Sequence, residues 1–327
     1  MAARSDARDM QSDPALPRPG IYWADALVCA AIGWGAFAVA THQPLGSAGH
    51  AATLAVAVLA LLRGLAFLHE IVHQSASLRG FRNAWFLLFG IPLGVPSLMY
   101  TDTHLDHHRG DRYATRRDPE YAPLASWSAW QLVAFAFSGW LVPVALLARW
   151  ALLTPLAWIV PAIRSWVVRR GSTLAINPEY ERPWPNAAQW RCWVVQESAM
   201  LAASWAALVC LALGVLQVRA ALQWAFVVGA IFFINQIRTL AAHRYRRYEQ
   251  PASQLEDSVN LTASPLCALI APLGLRFHAL HHWRPGIPYH ELGRIHRSHL
   301  ESSDLDPAYR LSSGQTLRST IDRLCRQ

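Results

Sequence analysis

The chain has 327 residues, of which 53% are hydrophobic and only 15% charged, far below the roughly 25% charge usual in soluble domains; a disordered, fibrous or ordinary soluble protein is excluded and a membrane protein indicated. The formal net charge is +8, and all 29 basic residues are Arg. On so apolar a chain that balance reads as loops facing an anionic leaflet rather than as nucleic-acid binding, and the sequence holds no zinc-finger or RNP-type motif.

In chain order, Met1 to Gly20 is a polar segment without the apolar run of a signal peptide, expected as a cytoplasmic tail. Asp25 to Ala40 and Ala51 to Leu68 are long enough to span a bilayer as a hairpin. The connecting turn carries no Arg, Asp or Glu, whereas the outer ends carry Arg4, Arg8, Arg18, Arg79 and Arg82. That asymmetry places both outer ends in the cytoplasm. Arg63 interrupts the second span and is expected to snorkel or to face the protein interior. Asn83 to Tyr100, broken by Gly90, Pro92, Gly94 and Pro96, reads as a kinked, half-buried segment. Trp127 to Val160, with Pro143 and Pro155, is expected to lie at least partly along the interface. A polar linker from Arg164 to Arg191 leads to a second hairpin, Trp193 to Leu216 and Ala220 to Ile237. The expectation is an all-α integral membrane protein with about four transmembrane helices in two hairpins and a cytoplasmic helical cap. Its domain would cover 21–300, between the polar tails 1–20 and 301–327.

Five scattered cysteines, Cys29, Cys192, Cys210, Cys267 and Cys325, form no C-x-x-C. A disulfide framework and a built-in iron–sulfur cluster are therefore not indicated. Histidine carries the chemistry instead. Eight of the 14 His fall in three clusters: His69-Glu-Ile-Val-His73, His104-Leu-Asp-His107-His108 and His278-Ala-Leu-His281-His282. On a helix, positions three and four apart share a face, so each cluster can aim two or three imidazoles into one space. Each cluster also follows an apolar segment on the expected cytoplasmic side. Imidazole is a strong donor to first-row metals. A single ion needs three or four protein ligands, so eight suit two ions.

At these residues the sequence resembles the membrane fatty acid desaturase family. The likeness runs from about Leu68 to Leu292 and rests on the three boxes, their order and their spacing. The segment His282-Trp-Arg-Pro-Gly-Ile-Pro-Tyr-His-Glu-Leu292 is similar to the family's H-H-x-x-P-x-I-P-x-H-x-L ending. The related sterol desaturase and hydroxylase group sets its first two boxes closer together, so the wide gap from His73 to His104 favours the acyl branch. The resemblance implies two non-haem iron ions held by His69, His73, His104, His107, His108, His278, His281 and His282, with a ninth ligand outside the boxes. His243, just past the last span, is the candidate. The resemblance also implies an Asn near the metals through water, for which Asn235 and Asn260 both qualify. Glu70 and Asp106, inside boxes, are candidates to orient ligand imidazoles. His290, His296 and His299 are expected to be solvated or supporting, and His42 and His50 to lie on the opposite side.

The implied activity is O2-dependent desaturation of a fatty acyl chain in the bacterial inner membrane. A mid-chain methylene has no acidic proton, so a metal–oxygen oxidant must do what side-chain acids and bases cannot. The same oxidant suits a lipid or carotenoid hydroxylase or ketolase. No G-x-G-x-x-G or C-x-x-C-H is present, so electrons must come from an external ferredoxin, rubredoxin or cytochrome. Arg164, Arg169, Arg170 and Arg244 to Arg247 are a candidate docking surface for it, or ordinary lipid-headgroup contacts. Two further readings remain. His69-Glu70-x-x-His73 matches the H-E-x-x-H of zinc proteases, but leaves six histidines unused. A metal-binding transporter or sensor would place polar ligands mid-span, whereas these lie at span ends. The aromatics of Trp85 to Phe89 and Phe226 to Phe233 are candidates for an acyl channel, with packing as their more ordinary role.

Overall fold

A computed structural model describes residues 16–245, 248 and 253–326. Most of the expected N-terminal tail, together with Arg246 and Arg247, lies outside the described residues. The described chain is helical, with two isolated β-bridges and no strands. α1 is Pro19–His42 and α2 is Ala48–Gln74. Pro19 starts α1, where a missing N–H costs nothing. The Ser47 hydroxyl caps α2 by accepting from His50 N. α2 runs past the apolar stretch, so its last two turns carry His69 and His73.

α3, Phe81–Leu93, contains a π-helical turn at Phe86–Gly90. The chain then bends by 80° into Ser97–His107, whose α-helical part, α4, is Thr101–His107. The kinks anticipated from Gly and Pro thus make a broken or re-entrant element. α5, Ala129–Ile159, is longer than a bilayer demands and is interrupted by a 3₁₀ turn at Ser138–Leu141 and a π turn at Ala148–Leu153. α6 is Pro161–Arg169, α7 Ala187–Ala212 and α8 Val218–Thr239. Asn186 and Gln189 form a reciprocal capping box at the start of α7. Five helices (α1, α2, α5, α7 and α8) are long and apolar enough to cross a membrane, or six if the bent pair counts as one span. The added candidate is α5, expected to be partly interfacial. Leu141, Val144 and Ile159 on it are each at least 69% exposed, an outward apolar face that suits lipid rather than water.

The two hairpins point the same way. At their tight ends, Arg219 of α8 donates to the carbonyls of Ala40, at 2.9 Å, and Gln43. His42 and His50 lie at this end, opposite the histidine boxes. Arg63 does face protein: its Nε donates to Asp25 Oδ1 at 2.9 Å, and the Tyr289 hydroxyl donates to the same carboxylate at 2.8 Å. Close packing fixes the helix crossings. A Cβ on Gly139 would fall 2.3 Å from Phe233 N, and one on Gly64 would fall 2.0 Å from Phe89 Cε1. Only glycine lets α5 approach α8, or α3 approach α2, so closely.

The polar side holds short helices: α9 Gln254–Asp257, α10 Leu266–Ile270, α11 His278–Trp283, α12 Tyr289–Glu301, α13 Pro307–Ser312 and α14 Leu317–Leu324. Residues 301–326, within the segment expected as a polar tail, fold onto the body. Tyr309 and Ser312 are fully buried, and Asn260 N donates to Ser312 O at 2.8 Å. Leu317, Ile321 and Leu324 lie on one helical face; the last is buried and Ile321 packs beside it.

Candidate metal centre

Four separate stretches deliver the histidines. α2 supplies His69 and His73 at its polar end. α4 supplies His104 and His107, with His108 as its C-cap. α11 supplies His278, His281 and His282. His243 follows α8 and is held by an extended strip. His243 bridges to Ser258, and Asn260 bridges to Phe277. One strip, 257–261, therefore fastens the His243 and His278 backbones side by side. Leu261 N continues it by donating to Arg276 O at 2.7 Å.

All nine rings meet in two adjoining groups. Group one is His69, His73, His104, His108 and His281; group two is His107, His243, His278 and His282. In group one, Nε2 of His69 lies 3.0 Å from that of His281, and His73 Nε2 lies 3.0 Å from that of His104. His108 closes the ring at 3.1 Å from His104 and 3.0 Å from His281. In group two, His243 and His278 approach to 2.9 Å, and His282 lies 3.2 Å from both His107 and His278. The His108 and His282 rings stack with centroids 4.5 Å apart, so the groups share a wall.

In four of the nine rings the other nitrogen is held by a partner. His107 Nδ1 donates to Asp118 at 2.8 Å, and His104 Nδ1 donates to Glu120 at 2.7 Å. His282 Nδ1 donates to Gln254 Oε1 at 3.0 Å. His243 Nδ1 lies 2.9 Å from the Tyr113 hydroxyl, which donates to Asp257 at 3.0 Å. With the proton on Nδ1, the Nε2 atom presents a bare lone pair. Lone pairs facing each other at about 3 Å repel unless a cation lies between them. That spacing matches neighbouring ligands of one first-row ion with bonds of about 2.1 Å. Burial, then the neighbouring imidazoles, holds His278, His281 and His282 well below the usual imidazole range, so they stay neutral and ready to ligate. Burial pushes the Glu120 carboxyl up. The residues present therefore fit two metal ions, and iron suits an all-imidazole donor set.

The four candidate supporting residues have separate fates. Glu70 turns to the Tyr22 hydroxyl, which donates at 2.6 Å, and to Tyr289 N at 3.2 Å; its carboxylate stays 3.6 Å from His69 Nδ1. It thus ties α1 to α12 instead of facing the metal space as a protease base would. Asp106 reaches no imidazole. It pairs with Arg112 and accepts from Tyr180 at 2.9 Å, because the helical turn sets position 106 off the face shared by 104, 107 and 108. Asn260 caps α11, its Oδ1 accepting from Ala279 N at 3.0 Å and Leu280 N at 3.3 Å. Asn235 lines the cavity beside His69 and His243. His296 and His299 are buried, and their ring contacts are with Phe277, Trp283 and Tyr309. They pack in the C-terminal fold, His296 Nδ1 lying 2.6 Å from the Tyr309 hydroxyl. The carboxylates that hydrogen-bond directly to imidazoles, Asp118 and Glu120, sit in Asp118-Pro119-Glu120, a loop without periodicity. Their signal in sequence was two acids just after a histidine box in a chain poor in charge.

A cavity of about 500 Å³ abuts both groups through His69, His104, His243 and His278, a size typical of small-ligand pockets. Of the aromatic stretches considered for a channel, Phe232 lines it; Trp85 and Phe89 are fully buried in helix packing. The docking candidate Arg164 is engaged internally, donating to the buried Glu197 at 2.6 Å, while Arg169 and Arg170 pair with Glu181.

A family model described as fatty acid desaturase matches residues 45–313. The chain belongs to this family. It is similar to a ceramide hydroxylase of Caulobacter vibrioides, 38% identical over 327 residues that cover 98% of this chain and 92% of the relative. No solved structure matches this desaturase-family chain. The family is a non-haem di-iron, lipid-modifying oxidoreductase class, and the helices described above make this member an all-α integral membrane protein. The protease reading is thereby set aside.

Proposed function

We propose that this chain is an O2-dependent lipid hydroxylase acting on a long-chain amide of the ceramide class, with two irons held by the nine histidines. The supporting observation is a cavity walled by both imidazole groups, in a chain whose ceramide-hydroxylase relative aligns almost end to end. Bound irons would supply the O2-activating redox chemistry that an unactivated C–H bond requires. The chain's own residues do the rest. Asp118, Glu120 and Gln254 hold the Nδ1 protons and fix the rings. Leu62, Leu65, Val142 and Ile231 exclude water and receive hydrocarbon.

Hydroxylation converts C–H and O2 to C–OH and water, using two electrons and two protons. The electrons come from an external ferredoxin, rubredoxin or cytochrome. Desaturation is the second reading, favoured by the family match. It removes two hydrogens from adjacent carbons with the same inputs and makes two waters. The metal face lies on the cytoplasmic side of a bacterial inner membrane in this proposal. The first hairpin loop, 43–47, carries no charged residue and the second turn carries one, Arg219, while Arg79, Arg82 and Arg109 lie on the histidine side.

Expression with a compatible donor in a ceramide-producing host, followed by lipid mass spectrometry, tests the proposal. One oxygen gained is expected. Two hydrogens lost selects desaturation. His107→Ala and His281→Ala each abolish product and lower iron per chain; full activity in both variants overturns the site.

A further inference from the structure

Which part of a lipid lies beside the histidines is written in the cavity wall. Along α8 the lining changes within two turns: Arg238, Gln236 and Asn235 near the end, then Phe232 and Ile231 deeper. On α2, His69 marks the same end and Leu62 lies about 10 Å deeper along the helix. The polar turn therefore sits at the histidines, and along α2 and α8 the wall turns apolar away from them.

Two groups of this turn keep hydrogen-bonding capacity, although the Arg238 charge also acts on the nearby Glu120 carboxylate. Gln236 Oε1 is buried without a hydrogen-bond partner. Arg238 commits its Nε to Asn235 Oδ1 at 3.2 Å, and its remaining guanidinium nitrogens have no hydrogen-bond partner among the described residues. A buried acceptor left unpaired is costly, so such groups in native proteins serve a purpose or await a ligand. Together they offer one acceptor and several donors, the complement of a group carrying both N–H or O–H and C=O. A hydrocarbon segment offers neither.

We infer that the Gln236–Arg238 turn receives the amide and hydroxyl groups of the substrate lipid. The oxidised carbon then lies within a few bonds of the amide, and the tail runs away along Phe232 and Leu62. This rests on the lipid-hydroxylase reading. Gln236 accepts from the amide N–H or a hydroxyl, Arg238 donates to the carbonyl oxygen, and Asn235 orients the guanidinium. All three are binding groups and none moves a proton in the reaction.

The test uses the full chain in mixed micelles with two ligands: a long-chain ceramide, and a wax ester of matching length that lacks N–H and O–H donors. Binding is read by native mass spectrometry, without electron donor. Wild type binds ceramide at least tenfold more tightly than the ester. Gln236→Leu and Arg238→Met each lose about tenfold for ceramide; Gln236→Leu leaves ester binding unchanged. Arg238→Lys, which keeps the cation, recovers part of the loss, and unchanged iron per chain shows that the variants are folded. Ceramide affinity unchanged in both variants overturns the inference, as does an oxygen placed mid-chain by wild type when product fragments are sequenced. Selective ceramide binding with no oxidised product upholds the polar turn and overturns the hydroxylase reading.

Discussion

Asp118 shows how one side chain governs the centre. It is fully buried, accepts from Ala114 N at 2.8 Å and Glu120 N at 2.9 Å, and holds His107 by its Nδ1 proton. Backbone donors pin the carboxylate, and the carboxylate pins the ring. Asp118→Asn keeps the shape but removes the charge and can present an N–H to a ring nitrogen that is itself a donor. Loss of such a partner weakens metal binding about 10- to 100-fold. Iron remaining per chain after a timed chelator challenge should fall accordingly, with the helical circular dichroism of the wild type retained. Asp106→Asn, which disturbs no imidazole contact, should retain iron.

At the level of elements, helix crossings place the histidines. α5 touches α8 where Gly139 meets the backbone of Phe232 and Phe233. Backbone cannot swing aside as a side chain can, so even Gly139→Ala forces the helices apart. Such overpacking costs about 1–3 kcal/mol, and a lowered melting temperature in detergent should report it. The C-terminal helices are a second such element. Burial, then the positive charges of Arg276 and Arg297 and the neighbouring His299, lowers the His296 pKa to about 4 from 6.5. The unfolded chain therefore binds the proton first. The stabilisation is complete above about pH 6.5 and is lost as pH falls toward 4. Protection against hydrogen exchange across 301–326, corrected for the intrinsic rate at each pH, should fall over that window, and His296→Gln should flatten the dependence. The same segment illustrates why a polar composition misleads. Tyr309 and Leu324 are too sparse to raise local hydropathy, yet each finds a buried place.

For the whole molecule, nine imidazoles crowded with ring nitrogens about 3 Å apart make the ion-free cluster self-opposing. Metal binding to the folded state alone stabilises it by mass action, and imidazoles scattered over four stretches cannot gather in an unfolded chain. Chelation should strip about two irons per chain, lower the melting temperature by several degrees and loosen 240–245 and 276–283 in hydrogen exchange before the hairpins α1–α2 and α7–α8. Readdition of Fe(II) should restore both readouts.

The sequence by itself determined the membrane environment, both hairpins and all three histidine boxes. Those properties are local: a run of apolar residues sets a span, and a spacing of three or four sets a shared helical face. His243 was legible by its place after a span. Tertiary structure alone decided how nine rings divide into five and four, because His107 points into a different group from its neighbours His104 and His108. It alone brought Asp118 and Glu120 to ring nitrogens and turned Asp106 away, folded 301–326 onto the strip behind α11, and opened a cavity polar at the histidine end. Each of these depends on contacts between residues distant in the chain, and no periodicity encodes where two such segments meet.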